Sequence, residues 1–159
     1  MILVLFGTVL HQIAAVIDQH PNIWQIVNKD DRLKILTMAL KAAGLEEASQ
    51  QGTLFTVFAP SDAAFRKVPT DIAERLSDPQ NKDELAKLLS YHAVGNRNLT
   101  SSELLKMDLP ARLETLIGDF ITVTKQGDQI KINNATIIKS DILASNGVIH
   151  IIDSVLMPI

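Results

Sequence analysis

Four histidines, His11, His20, His92 and His150, are the side chains best suited to move protons or hold a metal near neutral pH. None sits close enough to another to set two imidazoles on one face of a helix or strand, so the spacing predicts no metal centre. His150 precedes Asp153 and Ser154, the residue types of a nucleophile relay. On a strand, residues three apart point to opposite faces, so Asp153 cannot orient His150 locally. The chain has no cysteine, which removes thiolate catalysis and cysteine-held metals, and it has no Gly-x-Ser-x-Gly elbow. Its 7 glycines are dispersed, with no glycine-rich loop opening a helix to cradle phosphate. Nothing here predicts catalysis, a cofactor or a metal.

The surroundings of His150 suggest a different role. In "GVIHIID", residues 147–153, Val148, His150 and Ile152 share one strand face while Ile149, Ile151 and Asp153 share the other. Neither face is polar, so the strand is expected to be covered on both sides. A buried imidazole needs hydrogen-bond partners, and the expectation is a neutral ring tying this closing strand to a neighbouring loop. The competing expectation is a ring exposed in a cleft beside a second titratable group. Asn146-Gly147 is read as the turn that opens the strand.

The elements that must position these residues are readable from Asn22 onward. "NIWQIVNKDDRLKILTMALKAAGL" places Leu33, Leu36, Leu40 and Ala43 on one helical face, after an Asp30/Asp31 cap and before a Gly44 stop. Residues 53–58 are β-branched and aromatic apart from Leu54, Pro60 stops that strand, and Ser61 or Asp62 caps the next helical turn. Two short helices fit between Thr70 and Ser90, with Leu85, Leu88 and Leu89 on one face and Asn81 with Glu84 as a capping pair. "YHAV" reads as a short strand, followed by Thr100 and Glu103 capping another turn. After Pro110 the apolar period shortens to two, punctuated by Gly118-Asp119, Gly127-Asp128 and Asn133-Asn134, the pattern of antiparallel hairpins. Helices first and strands last predict an α+β domain.

The totals agree. At 159 residues the chain suits one domain, and 47% hydrophobic with 21% charged residues is ordinary globular composition. A net charge of -3 with scattered basic residues offers no footprint for nucleic acid. The apolar run Met1 to Leu10 is too short to cross a bilayer, which takes about 20 residues, so no transmembrane segment is expected. As a complete export signal it is poor, because no basic residue precedes it. It is read as a native extension, the tail of a signal or vector sequence. Leu10, Ile13 and Ile17 predict a short helix packed on its own domain or on a second copy, the latter arrangement giving a homodimer. The domain organisation expected is an extension over 1–21 and a domain over 22–159.

Three stretches resemble the fasciclin domain: "TLFTVFAPSDAAFRKVP" at 53–69, "LLSYHAV" at 88–94 and "DILASNGVIHIIDSVLMP" at 141–158, in the family's order. The resemblance implies a wedge of two antiparallel sheets with several helices packed on one side. It also implies export to the periplasm, cell surface or extracellular matrix, and adhesion to a protein or matrix polymer without catalysis. By the same resemblance Tyr91-His92 and Asp141-Ile142 match pairs proposed as partner-facing, although "YHAVGNRN" lacks the proline-glycine turn that usually follows the first pair. On residue type alone, Tyr91-His92 amid leucines also fits a core position, and Asp141 also fits a turn cap. Some fasciclin-like proteins bind pigments, so the resemblance implies a second reading, a carrier of an apolar pigment or lipid in a hydrophobic groove. "NLT" at 98–100 and "NAT" at 134–136 match the glycosylation triplet, a weak pattern without a eukaryotic secretory source.

Overall fold

The computed structural model describes residues 21–47 and 54–157. The expectations for the apolar N-terminal segment, its helix and its dimer contact, lie outside these residues.

Two helices open the described chain. α1, Ile23–Lys29, is started by a reciprocal capping box: Asn22 Oδ1 accepts the Gln25 amide N–H and the Gln25 side chain accepts the Asn22 N–H. α2, Lys34–Ala42, ends where Gly44 takes φ +72 and the Leu45 N–H reaches back to the Leu40 carbonyl, the stop that glycine permits. Asp30 and Asp31 do not cap α2. Asp30 is engaged by Arg32, and the α2 amide of Ile35 donates instead to the Asp62 carboxylate at 2.8 Å. That cap comes from a distant part of the chain, so local spacing could not reveal it.

Strand β1, Phe55–Pro60, ends at its proline, and Ser61 Oγ then caps α3, Asp62–Arg66, by accepting the Ala64 N–H. α4 is Thr70–Ser77, a 3-10 turn covers Pro79–Asn81, and α5 is Lys82–Ser90. Asn81 does not form the expected capping pair; its side chain donates to the Arg75 carbonyl, while Glu84 pairs with the Arg75 guanidinium. β2, Ala93–Gly95, and α6, Ser101–Lys106, follow, with Thr100 accepting the Glu103 N–H. The chain closes with β3, Ala111–Glu114, β4, Phe120–Gln126, β5, Gln129–Ile132, β6, Ala135–Ala144, and β7, Gly147–Ile152.

The α+β architecture expected from the sequence is present, and the strands run in the spatial order β2-β1-β7-β6-β5-β4-β3. β6 is shared between two sheets: Ala135 and Thr136 pair with β5, whereas Ile137 to Ala144 pair with β7. Neighbours are antiparallel except β1 and β7, which run parallel with Phe58 opposite His150. The ends of the order approach each other, since the Leu116 N–H just after β3 donates to the Ala93 carbonyl of β2 at 3.0 Å.

Every residue of β7 is buried. Ile149 and Ile151 join the cluster formed with α1, α2 and α5 through Val27, Leu33, Leu36 and Leu89, and Ile152 joins a second cluster with Phe58, Leu104, Ile121 and Ile132. Two-sided cover of this strand is why its sequence lacks an alternating polar face. The β6–β7 turn is Ser145-Asn146, one residue earlier than expected, with Gly147 already the first residue of β7.

Candidate functional site

His150 sits at the middle of β7 with no solvent exposure, stacked on Phe58 with 5.7 Å between ring centres. Its Nε2–H donates to the Leu99 carbonyl at 2.7 Å and its Nδ1 accepts the Asp141 backbone N–H at 3.2 Å. Both nitrogens are therefore used by the neutral ring with the proton on Nε2. Burial holds the ring below the ordinary histidine range, against the opposing pull of the Leu99 carbonyl and the Asp141 charge. Asp153 does not touch it: that carboxylate accepts the Thr136 N–H at 2.8 Å, so no relay through Ser154 is assembled.

Asp141 lies at a register shift of β6 with φ +61, a left-handed conformation that Asp adopts more readily than most residues. Its carboxylate accepts the Ser101 N–H at 2.7 Å and the Ser101 hydroxyl, at the N-terminus of α6. Burial works to raise its pKa, but the two Ser101 hydrogen bonds, together with His150 and the Ser140 side chain, outweigh it and hold the carboxyl below the usual aspartate value. Asp141 thus joins β6 to α6, and His150 joins the same bulge to the loop before α6. Ser101 and Leu99 gave no signal in the sequence, because both act through contacts far along the chain.

Tyr91 and His92 are not on a strand. They form the turn that ends α5, and both are buried. The Tyr91 hydroxyl donates to the Phe120 carbonyl at 3.1 Å and accepts from the Asn133 side chain at 3.2 Å. His92 Nδ1–H donates to the Leu88 carbonyl at 2.8 Å, and Nε2 accepts the Leu156 N–H at 2.8 Å. Burial pushes this ring down to about 4, which fixes it as a neutral imidazole. The pair locks the end of α5 to β4 and to the C-terminal segment, and its side chains are withdrawn from the surface.

The remaining residues singled out in the sequence hold the frame around this centre. Asn146 Oδ1 accepts the Ile23 N–H at 2.8 Å, fastening α1 to the β6–β7 turn. At Gly147, with φ +152, a Cβ would lie 1.8 Å from the Phe55 carbonyl oxygen, so only glycine admits this approach of β1. Ile142 is half-buried against the helical cluster. What reaches solvent is the middle of β6, residues 138–141 with Leu143, where Ile138 and Leu143 are 55% and 54% exposed. Among the described residues no group of three or more His, Cys, Asp or Glu is placed to hold a metal. No described helix is long and apolar enough to cross a membrane.

A family model described as the fasciclin domain matches residues 31–158. The protein sll1483 of the cyanobacterium Synechocystis sp. is 37% identical over 144 residues, covering 91% of this chain and 77% of that protein. Transforming growth factor-beta-induced protein ig-h3 of Sus scrofa is 35% identical over 136 residues, 86% of this chain and 19% of that one. Human periostin is 34% identical over 94% of this chain and 18% of its own length, so the chain spans under a fifth of either animal relative. Among solved structures, a FAS1 domain pair from the insect cell adhesion molecule fasciclin I matches with a TM-score of 0.76 at 18% identity, over 87% of this chain and 51% of that one.

Proposed function

The chain belongs to the fasciclin domain family, and from that membership, taken with the exposed middle of β6, we propose that it is a non-catalytic adhesion module acting outside the cytoplasm. It meets a protein or a matrix polymer, and secretion, the periplasm and the cell surface are the compartments that suit such contact. The observation that carries the reading is the combination of Ile138 and Leu143, both largely exposed, on either side of the Asp141 bulge. Large apolar side chains left in water on a strand favour a partner surface, and the bulge fixes how they are presented. Asp141 itself is committed to Ser101, so on this reading it shapes the contact face.

The test is attachment of cells and of purified matrix polymers to surfaces coated with the full chain, beside the double variant Ile138→Ser/Leu143→Ser. A several-fold drop for the folded variant is expected. Attachment no better than to an albumin coat rules the reading out.

A second reading, a carrier of an apolar ligand, is favoured by an apolar groove of about 410 Å³ between the helices. Self-association through residues 1–21 is also part of the proposal, since several copies raise the strength of modest contacts. Light scattering on the full chain and on a chain starting at Asn22 tests it: a dimer that becomes a monomer supports it, and two monomers remove it.

A further inference from the structure

α2 is apolar on two faces. Leu33, Leu36 and Ala43 turn into the core and are buried. Ile35, Met38, Ala39 and Ala42 follow the same three- and four-residue steps on a second stripe, and this stripe lines the groove. A helix with apolar residues on both sides calls for cover on both sides. The facing wall is α4, which has no buried residue and brings Ala73 and Leu76 to the groove. Met38 is 68% exposed, and among the described residues nothing closes the space between the two helices over it.

The groove's 410 Å³ falls within the roughly 300–1,000 Å³ of small-ligand clefts. Arg66, the last residue of α3, is the one charged side chain lining it, and Arg66 enters none of the ion pairs found among the described residues. Glu74 and Asp78 border the adjoining open cleft, which Arg66 also touches, but do not line this groove. An apolar trough whose lining includes one residue with an unpaired guanidinium is complementary to a molecule with a long apolar body and one negative end.

We propose that this groove binds a free long-chain carboxylate, its alkyl chain between Met38 and Leu76 and its head on Arg66. The inference rests on the carrier reading and adds the chemistry of the head group to it.

Binding of oleate and of oleyl alcohol to the full chain is measured by calorimetry, for the native protein and for Arg66→Gln, Ala39→Trp and Met38→Glu. Oleate is expected to bind one to one, about tenfold more weakly to Arg66→Gln, with oleyl alcohol indifferent to that change. Ala39→Trp should remove both ligands by filling the groove. Should it not fold, Met38→Glu at an exposed position still tests the site by repelling the carboxylate. Equal binding of acid and alcohol, both insensitive to Arg66→Gln, overturns the head-group assignment and leaves the carrier reading standing. Failure of both ligands to bind overturns the two together. Oleate taken up only with anionic phosphatidylglycerol vesicles, or excluded by a stable dimer, points to a membrane or a second copy on this face and also overturns the proposal.

Discussion

The His150 ring accepts the backbone N–H of Asp141 on Nδ1 at 3.2 Å, so a side chain from the buried strand β7 supports the bulge in β6. The Asp141 carboxylate in turn accepts from Ser101 at the start of α6, and the other nitrogen of His150 donates to Leu99. A reactive-looking histidine and an exposed aspartate are consecutive links of one structural connection. Proton transfer by His150 would break a link that the fold uses.

The first expectation concerns Asp141. Asn keeps one acceptor for Ser101 and tolerates the left-handed backbone, so Asp141→Asn should cost about 1 kcal/mol or less. Asp141→Val removes the acceptor and adds a β-branched side chain at φ +61, and a loss of about 2–3 kcal/mol is expected. Urea unfolding of both variants checks the order; equal losses would show that neither the cap nor the backbone conformation matters.

Acid sensitivity should be set largely by His92. Its folded value of about 4 lies below the ordinary histidine value of 6.5, so between these the unfolded chain binds more protons than the folded one. The contribution of this ring to stability is complete above about pH 6.5 and is lost as pH drops toward 4, about 3 kcal/mol in all. His150, also lowered, acts in the same direction. Asp141, lowered below the aspartate value, adds a loss only at pH below about 4. Denaturation at intervals from pH 7.5 to 4 reads this slope. His92→Leu should be less stable at neutral pH yet show a flatter dependence, and an unchanged slope would assign the acid sensitivity elsewhere.

Gly147→Ala is expected to be among the most damaging single changes, because the new methyl group would meet the Phe55 carbonyl oxygen at 1.8 Å where β1 and β7 begin to pair. Losses above about 4 kcal/mol, seen as poor soluble yield or a collapsed thermal transition, are the expected result. Gly127→Ala offers the comparison: its φ is +61 but nothing lies near its Cβ, so it should cost only about 1 kcal/mol.

Local chemistry in the sequence foretold the capped starts of α3 and α6 at Ser61 and Thr100 and the hairpins after Pro110, where two-residue turns and β-branched runs stand side by side. The features it concealed are those made between distant residues. Asp62 caps α2, Asn81 turns back to Arg75, and Tyr91-His92 ends a helix where a strand was expected. β1 pairs in parallel with a strand almost at the other end of the chain, a partnership no local period can announce. The burial of His150 was legible in the apolar residues on both faces of its strand. Its partners Leu99 and Asp141 were not, since one acts through a carbonyl and the other through an amide, which carry no residue-type signal.

The two apolar faces of α2 give the last expectation. Leu36 is 4% exposed in the cluster beneath the sheet and Met38 is 68% exposed toward the groove, although both are large apolar residues two positions apart on one helix. Leu36→Ala should leave a cavity and cost about 3 kcal/mol. Met38→Gln, similar in length and helix propensity, should change stability by no more than about 0.5 kcal/mol. If Met38 instead proves as costly as Leu36 when both are measured by urea unfolding of the full chain, its face is already covered in solution. A face that is free contributes little to folding, so its apolar character has to be explained by what binds there.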